Sequence, residues 1–180
     1  DEITKMTPFQ ISHKGIGLAF QLTNIFPSLT LFQNVQVALF SAYGKNKNIF
    51  SYAPAIFKKE SEEILHKIGL SDLAHKPAQD LSQADKKRLE LGIALAVRPR
   101  LLLLDEPTSG QSREETESTT SLIKQINSEQ ELTILFIEHK MDVVFGIAKR
   151  VIVMQYGTVI ADGLPEAVRQ NKNVQKAYLG

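Results

Sequence analysis

The chain contains no cysteine among its 180 residues. This absence excludes a disulfide scaffold, a thiolate metal site and a cysteine nucleophile, and it is consistent with a reducing compartment. An excess of charge of one sign is also lacking, because 21 basic residues oppose 20 acidic ones and leave a net charge of +1. The net charge therefore excludes a strong overall electrostatic attraction to nucleic acid or membranes, although a local charged patch is still possible.

Long hydrophobic runs are missing as well. No apolar run approaches the ~18 residues that a membrane-spanning helix needs, and the longest runs, Leu101–Leu104 and Leu132–Ile137, have the length of strands. The first ten residues lack the basic start and apolar stretch of a signal peptide. Hydrophobic residues make up 43% of the chain and charged residues 23%, which is typical of a globular protein.

The first half of the chain predicts one short strand followed by a helical region. An apolar stretch over 16–20 predicts the strand, and 21–28 is expected to be a loop. Two helices are expected within 30–79, because a polar turn cluster and a proline interrupt the helical pattern. The second of them should run from about Ala55 to Ile68, with Gly69 as its C-terminal stop.

The second half of the chain has more regular apolar periodicity. We expect strands over 101–104 and 132–137, and their continuous apolar runs are typical of strands buried on both faces. Because helices and strands alternate here, the sequence predicts a parallel sheet with its chemistry at the carboxyl ends of the strands. The remaining elements are predicted as helices over 84–97, 113–127, 140–148 and 165–178 and a hairpin over 151–161. Ser112 and Glu115 fit a capping box at the start of the second of these helices, and Tyr156-Gly157 is the expected turn of the hairpin.

The strongest chemical signal is a run of four leucines followed by Asp105 and Glu106. Such a strand delivers two carboxylates to the edge of a sheet. In an NTPase the first carboxylate holds Mg²⁺, and the second accepts a proton from the attacking water. The alternative is a buried strand that ends in ordinary solvated acids, since short motifs also match by accident.

Two further features point to the same chemistry. The strand over 132–137 is followed by Glu138 and His139, and a histidine at that edge can donate a hydrogen bond to a γ-phosphate. Its alternative is a surface histidine that opens a helix. Leu81–Asp85 lies directly ahead of a predicted helix, where Ser82 and free backbone N–H groups form an anion site. The alternative there is a simple N-cap.

Taken together, these motifs resemble the ATP-binding subunit of an ABC transporter. Separate motifs that follow one order are specific, and the resemblance covers the chain from about residue 10 to its end. The motifs are Phe20-Gln21 (Q-loop), Leu81–Asp85 (signature), Leu101–Glu106 (Walker B), Pro107–Ser112 (leading into the D-loop) and His139 (H-loop). Other segments are similar to importers of branched-chain amino acids, with urea importers close by: Lys87–Gly92, Glu114–Thr116, Ile137–Met141 and Ala177–Gly180.

The resemblance implies an α/β fold. It would be a partial P-loop NTPase core of the ABC ATPase type, with a mostly parallel sheet and an α-helical subdomain insert. Residues 1–29 would be the remainder of the catalytic core with the Q-loop, and 30–79 the α-helical subdomain. Residues 80–180 would contain the signature helix, Walker B, D-loop, H-loop and C-terminal core.

The resemblance also implies ATP and Mg²⁺ as cofactors and gives roles to individual residues. Asp105 would hold Mg²⁺ through water, Glu106 would be the general base, and His139 would contact the γ-phosphate. Gln21 would touch Mg²⁺ and the attacking water. The signature residues would contact ATP bound to a second ABC ATPase subunit in a head-to-tail dimer; these are Ser82, Gln83, Ala84 and Asp85.

The implied partners are the second ATPase subunit and membrane permease subunits, with no nucleic acid. The helices of 30–79 and the loop after Gln21 would dock the permease. Phe26, Pro27 and Leu29 in that loop are candidate contacts, or else belong to the core. The implied location is cytoplasmic, peripheral on the cytoplasmic face of the cell membrane.

The sequence departs from the family at the phosphate-binding loop, in the signature and in the D-loop, where Gln111-Ser112 stands in place of the common Leu-Asp. It contains no G-x-x-x-x-G-K-[ST], the loop whose N–H groups and lysine bind phosphates, and Gly44-Lys45-Asn46 lacks its spacing. We therefore expect that loop upstream of Asp1, and a fragment that is inactive alone, whereas its full-length relative would be an ATPase. In the signature, Gln83 and Ala84 stand where the family has glycines, which puts ATP contact across the dimer in doubt.

Truncation has an expected physical consequence. The missing segment should supply strands and a helix beside Leu101–Leu104, so we expect poor stability as a monomer, or a rearranged or swapped association. One alternative is a catalytically inactive shortened ABC module that only docks a permease or partner ATPase. Another is a DNA-repair or chromosome-type relative, which the lack of heptads and the near-neutral charge disfavour.

Overall fold

A computed structural model describes residues 2–19, 25–43, 56–130 and 132–179. The chain divides into two compact units, Asp1–Ile137 and Glu138–Gly180. The three-part division expected from the motifs is a division by function and stays a prediction. None of the helices in the described ranges has both the length and the apolar character needed to cross a membrane.

A three-stranded parallel sheet lies at the centre of the first unit. Its strands are β1 (Ile16–Ala19), β2 (Leu101–Asp105) and β3 (Thr133–Ile137), in that spatial order. All three run parallel, so their carboxyl ends meet at one edge of the sheet. The parallel sheet predicted from the strand–helix alternation is confirmed, and β1 joins it at one side.

Five helices accompany this sheet in the described part of the first unit. Helix α4 contacts α2, α3 and β1, and so connects the helical region to the sheet. Gly92 allows the close approach of α3 and α4, because a Cβ there would lie 2.7 Å from Ile68 Cδ1. The helices are α1 (Pro8–His13), α2 (Leu31–Tyr43), α3 (Lys58–Lys67), α4 (Gln83–Ala96) and α5 (Arg113–Gln130).

The two helices expected within 30–79 are present as α2 and α3. Gly69 ends α3 as predicted, with a φ of +69° and its N–H donating to the His66 carbonyl at 3.0 Å. The polar cluster over 44–48 and the predicted start at Ala55 lie outside the described residues. Helix α1 was not predicted, although Thr7 and Gln10 cap it reciprocally and Pro8 is its first residue.

The prediction that β2 and β3 are buried on both faces is wrong. In β2, Leu102 and Leu104 are buried while Leu101 and Leu103 are half-buried. In β3, the side chain of Leu135 is 57% exposed. Within the described part of the first unit, the helices cover one face of the sheet and not the other.

The second unit is a small helix-and-hairpin structure. The hairpin β4 (Val151–Gln155) and β5 (Thr158–Gly163) is antiparallel, as predicted, and Tyr156 and Gly157 turn between the strands with φ of 49° and 77°. Two positive φ values in a two-residue turn match the right-handed twist of the strands. The core of this unit is the cluster Val151, Val168 and Val174.

The helices of the second unit are shorter than predicted. Helix α6 spans Met141–Ile147, in agreement with the prediction over 140–148. The single helix predicted over 165–178 is wrong, because the chain forms α7 (Pro165–Arg169) and then α8 (Lys172–Val174). Asn171 causes the break, since its backbone is extended and its side chain accepts a hydrogen bond from the Asn173 N–H at 2.9 Å.

Candidate functional site

The two candidate carboxylates lie at the end of β2. Asp105 is the last residue of the strand, and Glu106 follows it with a φ of +46°. The Glu106 N–H donates to the carbonyl of Ile137 at 3.0 Å, which ties the turn to the end of β3. Because a left-handed conformation is unfavourable for a residue with a Cβ, the surrounding contacts must hold Glu106 in place.

The backbone after Glu106 forms a tight turn, here called the acidic turn (Asp105–Ser109). The Ser109 N–H donates to the Glu106 carbonyl at 3.1 Å, and Pro107 occupies the second position, where its fixed φ favours the turn. The side chain of Thr108 is fully buried. The acidic turn therefore has a defined backbone, which presents Asp105 and Glu106 from the edge of the sheet.

A lysine of α4 contacts the acidic turn directly. Lys87 Nζ donates to the Glu106 carbonyl and to Ser109 Oγ, both at 2.7 Å. Sequence reasoning missed this contact, because Lys87 counted there only toward the resemblance to one branch of importers. Its position five residues after Ser82 places it on the same helix as the signature, but that spacing does not by itself reveal the contact.

A narrow cavity of about 20 Å³ lies beside the acidic turn, between α4, β2 and α5. That volume is enough for a single water molecule and not for a nucleotide. Its lining is mostly apolar, with Lys87, Arg88, Glu90 and Asp105 as the charged members. The small volume means that α4, β2 and α5 leave little free space beside the acidic turn.

The start of α4 combines both interpretations of Ser82. The serine is the N-cap, since its Oγ accepts from the Asp85 N–H at 3.1 Å and donates to Asp85 Oδ2 at 2.8 Å. It is also exposed, as is Gln83, so the N-cap stays open to a ligand. Ala84 is buried in the first turn of the helix and is not among the residues with positive φ, so its Cβ adds no backbone strain.

The start of α5 follows the acidic turn and is capped as predicted. The Ser112 N–H donates to Glu115 Oε2 at 2.8 Å, and the Glu115 N–H donates back to Ser112 Oγ at 3.3 Å. The hydrogen bond from the Ser112 backbone, followed by that from its side chain, holds the pKa of Glu115 below its usual value. The charged carboxylate therefore stabilises this capping box.

Two other predicted site residues are Gln21 and His139. Gln21 lies outside the described residues. His139 follows β3 by two positions and is exposed, with its N–H donating to Glu138 Oε2 at 3.3 Å. Strands β2 and β3 are neighbours, as the prediction required, and Asp105 lies opposite Ile137. His139 belongs to the second unit and Glu106 to the first.

The loop ahead of α2 is held by hydrogen bonds with Asn34, a residue of α2 that is 1% exposed. Its Oδ1 accepts from the Phe26 N–H at 2.8 Å, and its Nδ2 donates to the carbonyls of Phe26 at 3.1 Å and Thr30 at 2.9 Å. The side chain of Phe26 is 52% exposed and Pro27 is exposed, so these two candidate contacts are not core residues. Leu29 is half-buried.

Asp105 and Glu106 are candidate ligands for a metal ion. Among the described residues no group of three or more His, Cys, Asp or Glu side chains is placed to hold a metal ion. Mg²⁺ does not need such a cage, because it uses one or two carboxylates together with waters and substrate phosphates. The oxygen donors of the acidic turn therefore fit Mg²⁺ that comes with a nucleotide.

Comparison with known families agrees with this geometry. The sequence profile described as "ABC transporter" matches residues 1–109, and the one described as "Branched-chain amino acid ATP-binding cassette transporter" matches residues 158–180. The high-affinity branched-chain amino acid transport ATP-binding protein BraF of Pseudomonas aeruginosa is 34% identical over 188 residues, which cover 100% of this chain and 73% of BraF. LivG of Escherichia coli, with the same printed function, is 35% identical over 95% of this chain and 70% of LivG.

Solved structures give the same result for the fold. The ADP conformation of an ATP-binding cassette of an ABC transporter has a TM-score of 0.81 at 24% identity, over 100% of this chain and 74% of that one. A dimeric ATP-binding cassette bound to ADP and Pi has a TM-score of 0.71 at 27% identity, over 87% of this chain and 65% of that one. This chain belongs to the ABC transporter family of ATP-binding proteins.

Proposed function

We propose that the chain is part of the ATP-binding and ATP-hydrolysing subunit of an importer for branched-chain amino acids. The observation that carries this proposal is the acidic turn, which presents Asp105 and Glu106 from the carboxyl end of β2. The sequence similarity to BraF and LivG supports branched-chain amino acids as the solute, since both relatives are named for their transport. The activity of the assembled transporter is part of the proposal.

The residues of the acidic turn divide the chemistry between them. Asp105 would hold Mg²⁺ through water, and Mg²⁺ would neutralise charge on the phosphates when bound. Glu106 would accept the proton of the attacking water, and its fixed backbone keeps that carboxylate from leaving the edge of the sheet. His139 would donate a hydrogen bond to the γ-phosphate, and Gln21 would touch Mg²⁺ and the water.

The signature would face a second subunit in a head-to-tail dimer. Ser82 is exposed at the N-terminus of α4, where helix N–H groups favour an anion. Gln83, Ala84 and Asp85 complete that first turn. The similarity to a dimeric cassette supports this arrangement. Two subunits would thus share each ATP.

The permease would dock on the helical region. The loop fixed by Asn34 presents Phe26 to solvent, and an exposed aromatic side chain on a rigid loop suits a protein contact. Such docking would hold the subunit at the cytoplasmic face of the cell membrane. Solute choice would then rest with the permease and a binding protein.

The proposal is tested by leucine uptake into proteoliposomes that contain the complete importer. Glu106→Gln removes the proposed base, and we expect loss of MgATP hydrolysis by a factor of about 10² or more, with uptake lost in parallel. Glu129→Gln makes the same chemical change at an exposed position of α5 and should leave both rates unchanged. Uptake that survives Glu106→Gln would contradict the assigned role.

A second experiment tests the place of the phosphate-binding loop. Because the 180 residues contain no such loop, we expect no heat of binding when MgATP is titrated into this chain by itself. Micromolar binding would show that this chain forms a nucleotide site without that loop, and that part of the proposal would be wrong.

The missing motif also favours one other candidate, a catalytically inactive shortened module that only docks a permease or partner ATPase. An in-frame G-x-x-x-x-G-K-[ST] ahead of Asp1 in the source gene would exclude it. A gene without that motif, together with permease binding in pull-down by the purified chain, would support the docking module in place of the hydrolysing subunit.

A further inference from the structure

Lys87 connects helix α4 to the acidic turn in the first unit. It projects from α4, whose N-cap is Ser82, and its ammonium reaches the acidic turn at the end of β2. The hydrogen bonds to the Glu106 carbonyl and to Ser109 Oγ are both 2.7 Å long. Such short bonds from a charged donor are stronger than neutral ones.

The position of these bonds gives Lys87 its importance. The Glu106 carbonyl accepts from Lys87 Nζ and from the Ser109 N–H at 3.1 Å, while the Glu106 N–H donates to Ile137. Both backbone groups of the residue with the unfavourable φ of +46° are therefore held by hydrogen bonds. The Lys87 side chain thus bonds to the acidic turn at two positions, Glu106 and Ser109.

We propose that Lys87 is a positioning residue, which holds the backbone of the acidic turn so that the Glu106 carboxylate stays in its working place. It acts through the Glu106 carbonyl and Ser109 Oγ and does not touch nucleotide itself. This role rests on the proposed function of Glu106 as the general base. It also connects the turn to the helix that begins at the signature, five residues or roughly 7.5 Å earlier along the α4 axis.

Amide hydrogen exchange of the complete ATP-binding subunit, followed by NMR, tests the structural half of the proposal. Lys87→Met keeps the length of the side chain and removes its charge and donors. We expect the Ser109 amide to exchange about tenfold faster, as loss of a charge-assisted hydrogen bond predicts, with amides in the middle of α4 unchanged. Lys87→Arg should restore slow exchange.

Lys86→Met is the matched control, because Lys86 is the preceding residue of the same helix and carries the same charge. It should leave Ser109 exchange unchanged. An equal acceleration in both variants, or a change of less than twofold in Lys87→Met, would overturn the proposal. If Lys87→Met does not fold, Ser109→Ala removes one of the two acceptors, and unchanged exchange at position 109 would overturn it as well.

ATP turnover by the complete importer tests the catalytic half. We expect Lys87→Met to lower kcat about tenfold with KM for ATP unchanged, and Lys87→Arg to recover most of the rate. A higher KM at constant kcat would overturn the positioning role. A wild-type importer without ATPase activity would contradict the proposed function, whereas the exchange experiment needs no nucleotide and decides separately whether Lys87 holds the turn.

Discussion

The two faces of the β1–β2–β3 sheet differ in what covers them, although both faces carry leucine and isoleucine side chains. On one face Leu102 is 0% exposed, and Leu104 is buried among residues of α4 and α5. On the other, Leu135 is 57% and Ile137 65% exposed. Leu135 lies in register with Leu103 of β2 and thereby with Leu18 of β1.

This difference teaches that side-chain hydrophobicity does not determine burial. An apolar run is compatible with a strand covered on both faces or on one, because a strand presents alternate residues to opposite faces. Burial is decided by the element that packs there, here α4 and α5. Lys87 of α4, one of these two helices, also contacts the acidic turn.

The largest effect is expected from a cavity on the covered face. Leu102→Ala should lower the free energy of unfolding by about 2–5 kcal/mol, because it removes contacts from a fully buried position. Leu135→Ala is the matched control and should cost less than about 0.5 kcal/mol, as expected for an exposed site. Urea denaturation of both variants measures the difference, and equal losses would contradict the contrast between the faces.

A smaller effect is expected where β1 approaches α4. A Cβ at Gly17 would lie 2.9 Å from the Ala94 carbonyl oxygen and 3.2 Å from Pro99, so Gly17→Ala must push the strand away from the helix. We expect a loss of about 1–3 kcal/mol in urea denaturation. Gly146→Ala, where an added Cβ meets nothing within 4 Å, is the control. An unchanged midpoint for Gly17→Ala would mean that the two elements are loosely packed.

The smallest effect concerns the capping box of α5, one of the helices on the covered face. Since the pKa of Glu115 is lowered in the folded chain, its contribution to stability is present above the ordinary glutamate pKa of 4.5 and is lost as the pH falls below it. Glu115→Gln should therefore flatten the decline of stability in that acidic range. Glu114→Gln, in the same turn, controls for net charge, and an identical pH profile for both variants would count against the capping contribution.

The sequence predicted the elements whose signals are local. The Ser112–Glu115 capping box, the stop at Gly69 and the Tyr156-Gly157 hairpin turn each depend on neighbouring residues, and each is confirmed. The break at Asn171 is equally local, since its side chain accepts from the Asn173 N–H, but the sequence analysis predicts one continuous helix there. Helix α1 was also missed, since its capping residues are not followed by apolar residues at helical spacing.

The candidate site was predicted in part. The carboxylates at the end of β2 followed from a strand that ends in Asp105 and Glu106, and the neighbouring β3 followed from the parallel sheet. The contact of Lys87 with Glu106 could not be predicted, because 19 residues separate them and the bond depends on how α4 packs against β2. The left-handed backbone of Glu106 has no sequence signal either, since that conformation is unfavourable for glutamate.

The sequence by itself determined the family, the order of the motifs and most helix and strand positions, because these depend on residue type and short spacings. Tertiary structure alone decided which sheet face is covered, how Lys87 reaches the acidic turn and where Asn34 anchors the loop before α2. Those features join residues through packing and hydrogen bonds across elements. Packing depends on the three-dimensional placement of whole helices and strands, which local periodicity does not specify.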